Sequence, residues 1–164
     1  MDKIPFRITL LRAANPLVVR LLGSPLHALL SRDLLLATFR GRRSGRRLTT
    51  PLSYVEAGGR LYLCTRPGVA AWWKNMRGGV PIEITWRGRR VPARASVLDS
   101  SSDEALVGFR AFCERNPGTA ALLYDVEVGR DGKPDEQSLA REVRRSVIVR
   151  VEPCDVAADR SRRS

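Results

Sequence analysis

The chain has 164 residues, 43% of them apolar and 28% charged, and its 29 lysines and arginines against 17 acids give a net charge of +12. This balance is typical of one globular domain and excludes both a disordered chain and a bundle of membrane spans. The charge is uneven, because residues 1–94 carry 18 basic and 4 acidic side chains, whereas residues 95–164 carry 11 and 13. The basic half predicts an anionic partner: a phosphorylated cofactor, a nucleic acid or an anionic membrane.

Residues 1–33 are apolar but are interrupted by arginines and by Pro16 and Pro25, which predicts two or three short amphipathic helices. The longest uncharged run there, 21–31, has 11 residues, and a helix needs about 20 to span a bilayer. These helices either pack on the rest of the domain, the reading we favour, or rest on a membrane surface with arginines toward the headgroups.

Short runs with a period of two, separated by tight turns, predict strands at 34–39, 48–56, 61–65, 82–86, 91–98 and 146–151. Helical spacing predicts helices at 69–76, 103–115, 119–124 and 138–144. Strands in hairpins pair antiparallel, and about six of them commonly close into a barrel. The prediction is an α+β protein, mainly antiparallel, with the barrel over 34–153, flanking helices, and a disordered tail over 154–164.

The chemistry of the rare residues excludes several kinds of site. His27 is the one histidine and stands in an apolar segment, and Cys64, Cys113 and Cys154 are far apart with no CxxC pair. We therefore predict no metal site and no histidine-based hydrolase. Three scattered cysteines favour a reducing, cytoplasmic setting over a disulfide framework.

The basic segment 40–47 holds five arginines in eight residues, spaced by Gly41, Ser44 and Gly45. Guanidinium groups and loop N–H groups of this kind close on phosphate. The same run is also compatible with a solvated turn or with a contact to nucleic acid, and charge by itself favours none of these.

The order of the residues narrows the choice. An apolar strand is followed by Gly41-Arg42-Arg43-Ser44-Gly45 and then by Pro51-Leu52, and the segment 71–79 reads Ala-Trp-Trp-Lys-Asn-Met-Arg-Gly-Gly. Both segments resemble the signatures of the deazaflavin-dependent nitroreductase and quinone reductase family. The resemblance implies a split β-barrel of the FMN-binding type. It also implies the cofactor F420, a deazaflavin with a phosphate and a polyglutamate tail, and hydride transfer to a quinone, activated alkene or nitro compound.

The resemblance also implies which residues hold the cofactor. Arg42, Arg43, Ser44 and Gly45 match the phosphate-binding stretch, and Thr50 and Pro51 match positions lining the ring. Thr65, Arg66 and Gly68 match the loop at the ring edge and anionic tail, and Trp72 and Asn75 match helix residues beside the cofactor. Tyr124 is a candidate proton donor, with solvent as the alternative. Of the two adjacent tryptophans, Trp72 is expected to face the cofactor and Trp73 to pack inward.

Alternatives remain open at this stage. FMN is the alternative cofactor, and a carrier or sensor that binds a flavin without turnover is the alternative function. A nucleic-acid-binding module is disfavoured, because the basic loops lack interleaved aromatic residues that would stack on bases. The expected partner is a small hydrophobic electrophile, and the chain is expected to be a monomer or a homodimer, with membrane contact through residues 1–33 left open.

Overall fold

The computed structural model describes residues 33–154. The predicted amphipathic helices of residues 1–33 and the predicted tail of 154–164 lie outside this range, apart from Asp33 and Cys154 at its two ends. None of the helices in the described part of the chain has the length and apolarity needed to cross a membrane.

Seven strands form one sheet in which every pairing is antiparallel. The strands are β1 (Leu34–Arg40), β2 (Arg47–Ser53), β3 (Val55–Ala57), β4 (Arg60–Thr65), β5 (Val80–Trp86), β6 (Arg89–Val97) and β7 (Val147–Pro153). The helices are a 3-10 helix (Trp72–Met76), α1 (Asp103–Arg115), α2 (Pro117–Tyr124) and α3 (Glu136–Val143). The predicted α+β class with a mainly antiparallel sheet is confirmed.

The sheet curls into a barrel because its two edge strands are consecutive in the chain. The strand order is β2-β1-β5-β6-β7-β4-β3, yet only Tyr54 separates the end of β2 from the start of β3. The two edges must therefore lie next to each other. A flat sheet of seven strands would hold them about 29 Å apart, since neighbouring strands are spaced by about 4.8 Å.

The count of seven strands differs from the predicted six because the run 48–56 divides at Tyr54. The backbone N–H of Tyr54 donates to the carbonyl of Asp33 at 3.1 Å, just beyond the pairing of Leu34 with Ser53. From Val55 onward the chain pairs with β4 instead. One predicted strand thus becomes two strands because its halves bind opposite edges of the sheet.

Two apolar cores lie on the two faces of the curled sheet. In β4, Leu61 and Leu63 belong to the core inside the barrel, while Tyr62 and Cys64 face the second core, which the helices α1 to α3 complete outside it. This alternation follows from the period of two along a strand. The helices therefore cover one side of the barrel near β3, β4 and β7.

Helix α1 begins and ends where the sequence predicts. Ser102 accepts a hydrogen bond from the N–H of Ala105, two acids occupy the first turn, and Arg115 occupies the last turn. These features satisfy the helix ends and complement its dipole. α2 starts at Pro117, two residues before the predicted start, and α3 starts at Glu136, also two residues early.

The predicted helix 69–76 is wrong in length and type. Only Trp72–Met76 is helical, and it is a 3-10 helix, preceded by a turn in which Val69 N–H donates to Arg66 O at 3.1 Å. A 3-10 helix has three residues per turn, so residues three apart lie on one face. Trp73 and Met76 therefore share a face, whereas Val69 lies before the helix begins and is not part of its register.

Candidate functional site

The loop between β1 and β2, residues 41–46, is folded back on itself. Gly41 N–H donates to Arg46 O at 2.8 Å, and Gly45 N–H donates to Gly41 O at 2.8 Å. Gly45 has a φ of 64°, in the left-handed region that glycine tolerates best. A Cβ at position 41 would lie 2.7 Å from Ser44 Oγ and 3.2 Å from Leu48 Cδ1, so a side chain there would require Ser44 to change its rotamer.

Most arginines of this basic segment have no acidic partner among the residues that the structure describes. Arg47 forms an ion pair with Glu83 at 2.9 Å, and Arg40 Nη1 donates to Gly45 O at 3.3 Å. Arg42, Arg43 and Arg46 form no ion pair with any residue the structure describes. The loop therefore concentrates positive charge that is available to an anion from solution.

The 3-10 helix links this loop to the rest of the site. Its register places Trp73 and Met76 in the barrel core, at 7% and 0% exposure, and puts Trp72 and Asn75 on another face. Asn75 Oδ1 accepts a hydrogen bond from the backbone N–H of Arg42 at 2.8 Å. Asn75 Nδ2 donates to Trp72 O at 3.0 Å. Asn75 thus fixes the basic loop against the helix.

Three cavities surround these elements. The loop cavity has a volume of about 290 Å³ and is lined by Gly41, Arg42, Arg43, Ser44, Leu48, Ala71, Lys74 and Asn75. The outer cavity, of about 610 Å³, shares Arg42 and Asn75 with the loop cavity. It is completed by Thr38, Phe39, Arg40, Arg47, Arg77, Val80, Pro81, Ile82 and Glu83.

The third cavity, the tyrosine cavity, has a volume of about 240 Å³. It is lined by Pro51, Leu52, Ser53, Cys64, Thr65, Arg66, Val69, Trp72, Phe112, Thr119, Leu123 and Tyr124. Most of these side chains are apolar, and the polar groups are few. Trp72 lines this mainly apolar cavity and Asn75, three residues later on one face of the 3-10 helix, lines the cationic loop cavity.

Arg66 differs from the loop arginines because two acids hold it. Its Nη2 contacts a carboxylate oxygen of Glu142, whose side chain is 1% exposed, and lies 3.4 Å from Asp125 Oδ2. Its guanidinium also lies 5.8 Å from the centre of the Tyr124 ring. The positive charge that Arg66 brings to the tyrosine cavity is therefore partly compensated within the protein.

Tyr124 ends helix α2 and is 3% exposed. Its ring packs edge-to-face on Phe109 and Phe112, with centroids 5.2 and 5.8 Å away. Its hydroxyl makes no hydrogen bond to any described residue. Burial raises the pKa of Tyr124 well above its ordinary value, as Cys64 and Cys113 also do, while Arg66 acts in the opposite direction. The group is a neutral hydrogen-bond donor at neutral pH.

The structure brings most of the predicted site residues to two of the cavities. The loop cavity contains Arg42, Arg43, Ser44 and Asn75; the tyrosine cavity contains Pro51, Thr65, Arg66, Trp72 and Tyr124. Three predicted residues, Gly45, Thr50 and Gly68, line none of the three cavities.

Sequence reasoning missed two charged residues of this region. Lys74 lines the loop cavity. It lies between Trp72 and Asn75, so the tryptophan motif could have indicated it. Glu142 is the one charged residue among the buried residues of the described chain. The available signal was its spacing, because an acid three residues after Leu139 falls on the buried face of α3.

The sequence was compared with protein families and known proteins. The sequence model of a family described as F420H2-dependent quinone reductase matches residues 11–131, which is most of the chain. The chain belongs to this family. It is therefore an oxidoreductase that uses the deazaflavin cofactor F420, and the predicted family and cofactor are confirmed. A search of curated proteins finds no match.

Solved structures add information on the fold. One, described as a domain-swapped dimer, is 19% identical, covers 75% of this chain and 82% of its own, and superposes with a TM-score of 0.52. A second, described as an F420 reductase, is 13% identical, covers 80% of this chain and 94% of its own, and has a TM-score of 0.39. The first likeness concerns the fold alone, and the second is too low to carry an argument.

The donor set of this F420-dependent enzyme suits its cofactor. A phosphate requires several N–H and hydroxyl donors with uncompensated positive charge, and the loop cavity offers Arg42, Arg43, Ser44 and Lys74. A flat, largely apolar ring requires apolar walls with few polar groups, and the tyrosine cavity offers Pro51 and Trp72.

Proposed function

We propose that this protein reduces a quinone or a similar hydrophobic electrophile, such as an activated alkene or a nitro compound, with F420H2 as the hydride donor. The observation that carries the proposal is the face of the 3-10 helix shared by Trp72, which lines the apolar tyrosine cavity, and Asn75, which lines the cationic loop cavity. A molecule with an anionic end and a flat apolar end fits such a pair of cavities.

The charges of the two cavities support one orientation of the cofactor. Arg42 and Arg43 have no acidic partner among the described residues, whereas Arg66 is compensated by Glu142 and Asp125. The phosphate is therefore assigned to the loop cavity and the ring to the tyrosine cavity. The glutamate tail then has access to the outer cavity, which adds Arg40 and Arg77.

Each residue has a distinct role in this proposal. Asn75 holds the basic loop, while Arg42 and Arg43 bind the phosphate and neutralise its charge. Trp72 and Pro51 bind the ring and exclude water. Bound in its reduced form, the cofactor supplies a hydride. Tyr124, which donates to no described residue and stays protonated, is placed to hydrogen-bond an oxygen of the substrate and to supply the proton that balances the transfer, with solvent as the alternative.

Binding is tested first, with a double substitution of Arg42→Ala and Arg43→Ala. Loss of two charged hydrogen-bond donors costs about 1.5–3 kcal/mol each, so the Kd for F420 is expected to rise at least about 100-fold in isothermal titration calorimetry. The melting temperature should stay unchanged, because both side chains are exposed and form no ion pair with a described residue.

A matched control is Arg89→Ala with Arg90→Ala, on the exposed start of β6. This variant loses the same charge but lines none of the three cavities, so its Kd should remain near that of the wild type. Wild-type affinity in the loop variant, or an equal loss in the control, would contradict the placement of the phosphate.

Turnover is tested by following the oxidation of F420H2 in the presence of a quinone, an enone and a nitroarene. The proposal expects turnover with at least one member of this panel. F420 binding without any turnover would contradict the reductase proposal and favour a carrier.

A further inference from the structure

A buried acid on α3 contacts the ring cavity only through an arginine. Glu142 is 0% exposed, although its helix lines none of the three cavities. A buried carboxylate is costly unless it is paired and hydrogen-bonded. The residue that pairs with Glu142 therefore indicates the role of this carboxylate.

Three arginines lie near the Glu142 carboxylate, and they are not equivalent. Arg141 and Arg145 each approach it at 3.4 Å, but their side chains are 50% and 68% exposed. Arg66 makes the closest contact and is 30% exposed. Arg66 is also distant in sequence, because it lies 76 residues before Glu142. The Arg66 pair is the interaction that compensates the buried charge.

The same pair determines where Arg66 lies. Arg66 is the first residue after β4, its side chain lines the tyrosine cavity, and its guanidinium stands over the Tyr124 ring. Both contacts with acids use Nη2. Its Nε is buried and has no hydrogen-bond partner among the described residues. A long side chain would sample many rotamers without such an anchor.

We infer that Glu142 is a positioning residue for the reaction: through its ion pair it holds the Arg66 guanidinium at the wall of the tyrosine cavity, against Tyr124. This inference rests on the proposed function, because it takes the tyrosine cavity as the place of the ring and substrate. Glu142 touches neither of them and acts through Arg66.

The first test needs no activity. The Nε–H of Arg66 is expected to give a slowly exchanging NMR signal in the full-length protein, because the atom is buried; the signal is assigned by its loss in Arg66→Lys. In Glu142→Gln this signal should lose its protection and exchange fast, since the guanidinium loses its anchor. A signal that stays protected in Glu142→Gln overturns the inference, whether or not the enzyme is active on any substrate.

The second test is a double-mutant cycle on kcat/KM for F420H2-dependent turnover. Glu142→Gln is expected to lower kcat/KM about 10- to 100-fold, the effect of a misplaced group at a site. In an Arg66→Met background the same substitution should change kcat/KM by less than about twofold, because Glu142 then has no Arg66 guanidinium to hold in place. Independent, multiplying losses would show that Glu142 does not act through Arg66.

The matched control is Glu136→Gln on the same helix. Glu136 forms an ion pair with Arg110 of α1, so this substitution breaks a contact of α3 away from the cavities. It should keep the Arg66 signal and the wild-type kcat/KM. A loss equal to that of Glu142→Gln would show that only the packing of α3 matters, which overturns the inference.

If Glu142→Gln does not fold, Arg66→Lys replaces it in the activity test. Lysine keeps the ion pair but lacks the planar fork, so the melting temperature should stay near wild type while kcat/KM falls. Unchanged kcat/KM in this variant overturns the inference. Absence of turnover in the wild type would instead contradict the proposed function, and the NMR result would still decide the role of Glu142.

Discussion

Arginines of this protein differ in function according to the partners they already have. Arg42 and Arg43 are exposed and have no acidic partner in the described chain, so their donors are available to an anion. Nη2 of Arg66 contacts two carboxylates, so its position is fixed and its charge is partly compensated. The distinction depends on contacts between distant residues, and the number of arginines in a segment does not reveal it.

The role of Tyr124 as proton donor can be tested with a single substitution. We expect Tyr124→Phe to lower kcat about 100-fold, the usual effect of removing one preorganised donor, with the Kd for F420 nearly unchanged. The fold should be retained, because the hydroxyl donates to no described residue and the ring contacts with Phe109 and Phe112 remain. Stopped-flow oxidation of F420H2 and calorimetry measure the two quantities.

The burial of Tyr124 predicts how the rate depends on pH, and the Tyr124→Phe variant distinguishes Tyr124 from solvent as the proton source. Burial raises the pKa of Tyr124 well above its ordinary value, which is about 10. The phenol therefore keeps its proton below that pH, and the wild-type rate should show no decline from this group up to at least about pH 10. A Tyr124→Phe variant with undiminished kcat would assign the proton to solvent.

At the scale of elements, the packing of α1 on β4 depends on one glycine. A Cβ at Gly108 would lie 2.5 and 2.7 Å from ring carbons of Tyr62. The ring cannot easily move, because it is 3% exposed and its hydroxyl donates to Glu104 at 3.3 Å. Glu104 is itself held by Arg150 at 3.0 Å.

We therefore expect Gly108→Ala to lower the free energy of unfolding by about 1–3 kcal/mol through overpacking. The gain in helix propensity, about 1 kcal/mol, offsets this only in part. Urea unfolding measures the change. The control is Gly118→Ala in α2, where a Cβ meets nothing within 4 Å and stability should be kept or slightly increased. Equal behaviour of the two variants would show that the helix can shift away from β4.

The elements also show what the sequence could predict. α1 was predictable because Ser102 caps it, acids open it and Asn116-Pro117 ends it, all of which are local signals. The division of the run 48–56 could not be predicted. At Tyr54 the chain changes its pairing partner from β1 to β4, and strand pairing depends on residues distant in sequence. The prediction of an α-helix at 69–76 was wrong because the spacing of its apolar residues, Val69, Trp72, Trp73 and Met76, is also that of an α-helical stripe. The sequence gives no signal that separates the two kinds of helix here.

In the candidate site, too, local features could be predicted from the sequence and non-local ones could not. The loop and tryptophan motifs were readable because their residues are close in sequence, and they led to the two cavities. The partnership of Arg66 with Glu142 joins residues 76 positions apart, and no local pattern reports it. The side chain of Asn75 was expected beside the cofactor, and it also ties the basic loop to the helix through Arg42 N–H.

At the scale of the whole molecule, the net charge of +12 should govern cofactor affinity. The Debye length falls from about 30 Å at 0.01 M salt to about 3 Å at 1 M, which screens the attraction between the basic loop and an anionic cofactor. We expect the Kd for F420 to rise roughly tenfold over this range. Calorimetry at several salt concentrations checks this.

The Arg42→Ala, Arg43→Ala variant provides the reference for the salt series. Its Kd should depend less on salt, because fewer charges meet the phosphate. If salt left the wild-type Kd unchanged, the anionic groups of the cofactor would not be bound by the exposed arginines, and the orientation proposed above would be wrong.

The short strand β3 and the proline in β2 have a consequence for self-association. An exposed sheet edge is a template to which a strand of another molecule can add, and this leads to aggregation. Here one edge strand, β3, has only three residues, and the other, β2, carries Pro51, which has no N–H to offer. Among the strands the structure describes, both edges are blunted in this way, so we expect strand addition by a neighbouring chain to be disfavoured at β2 and β3.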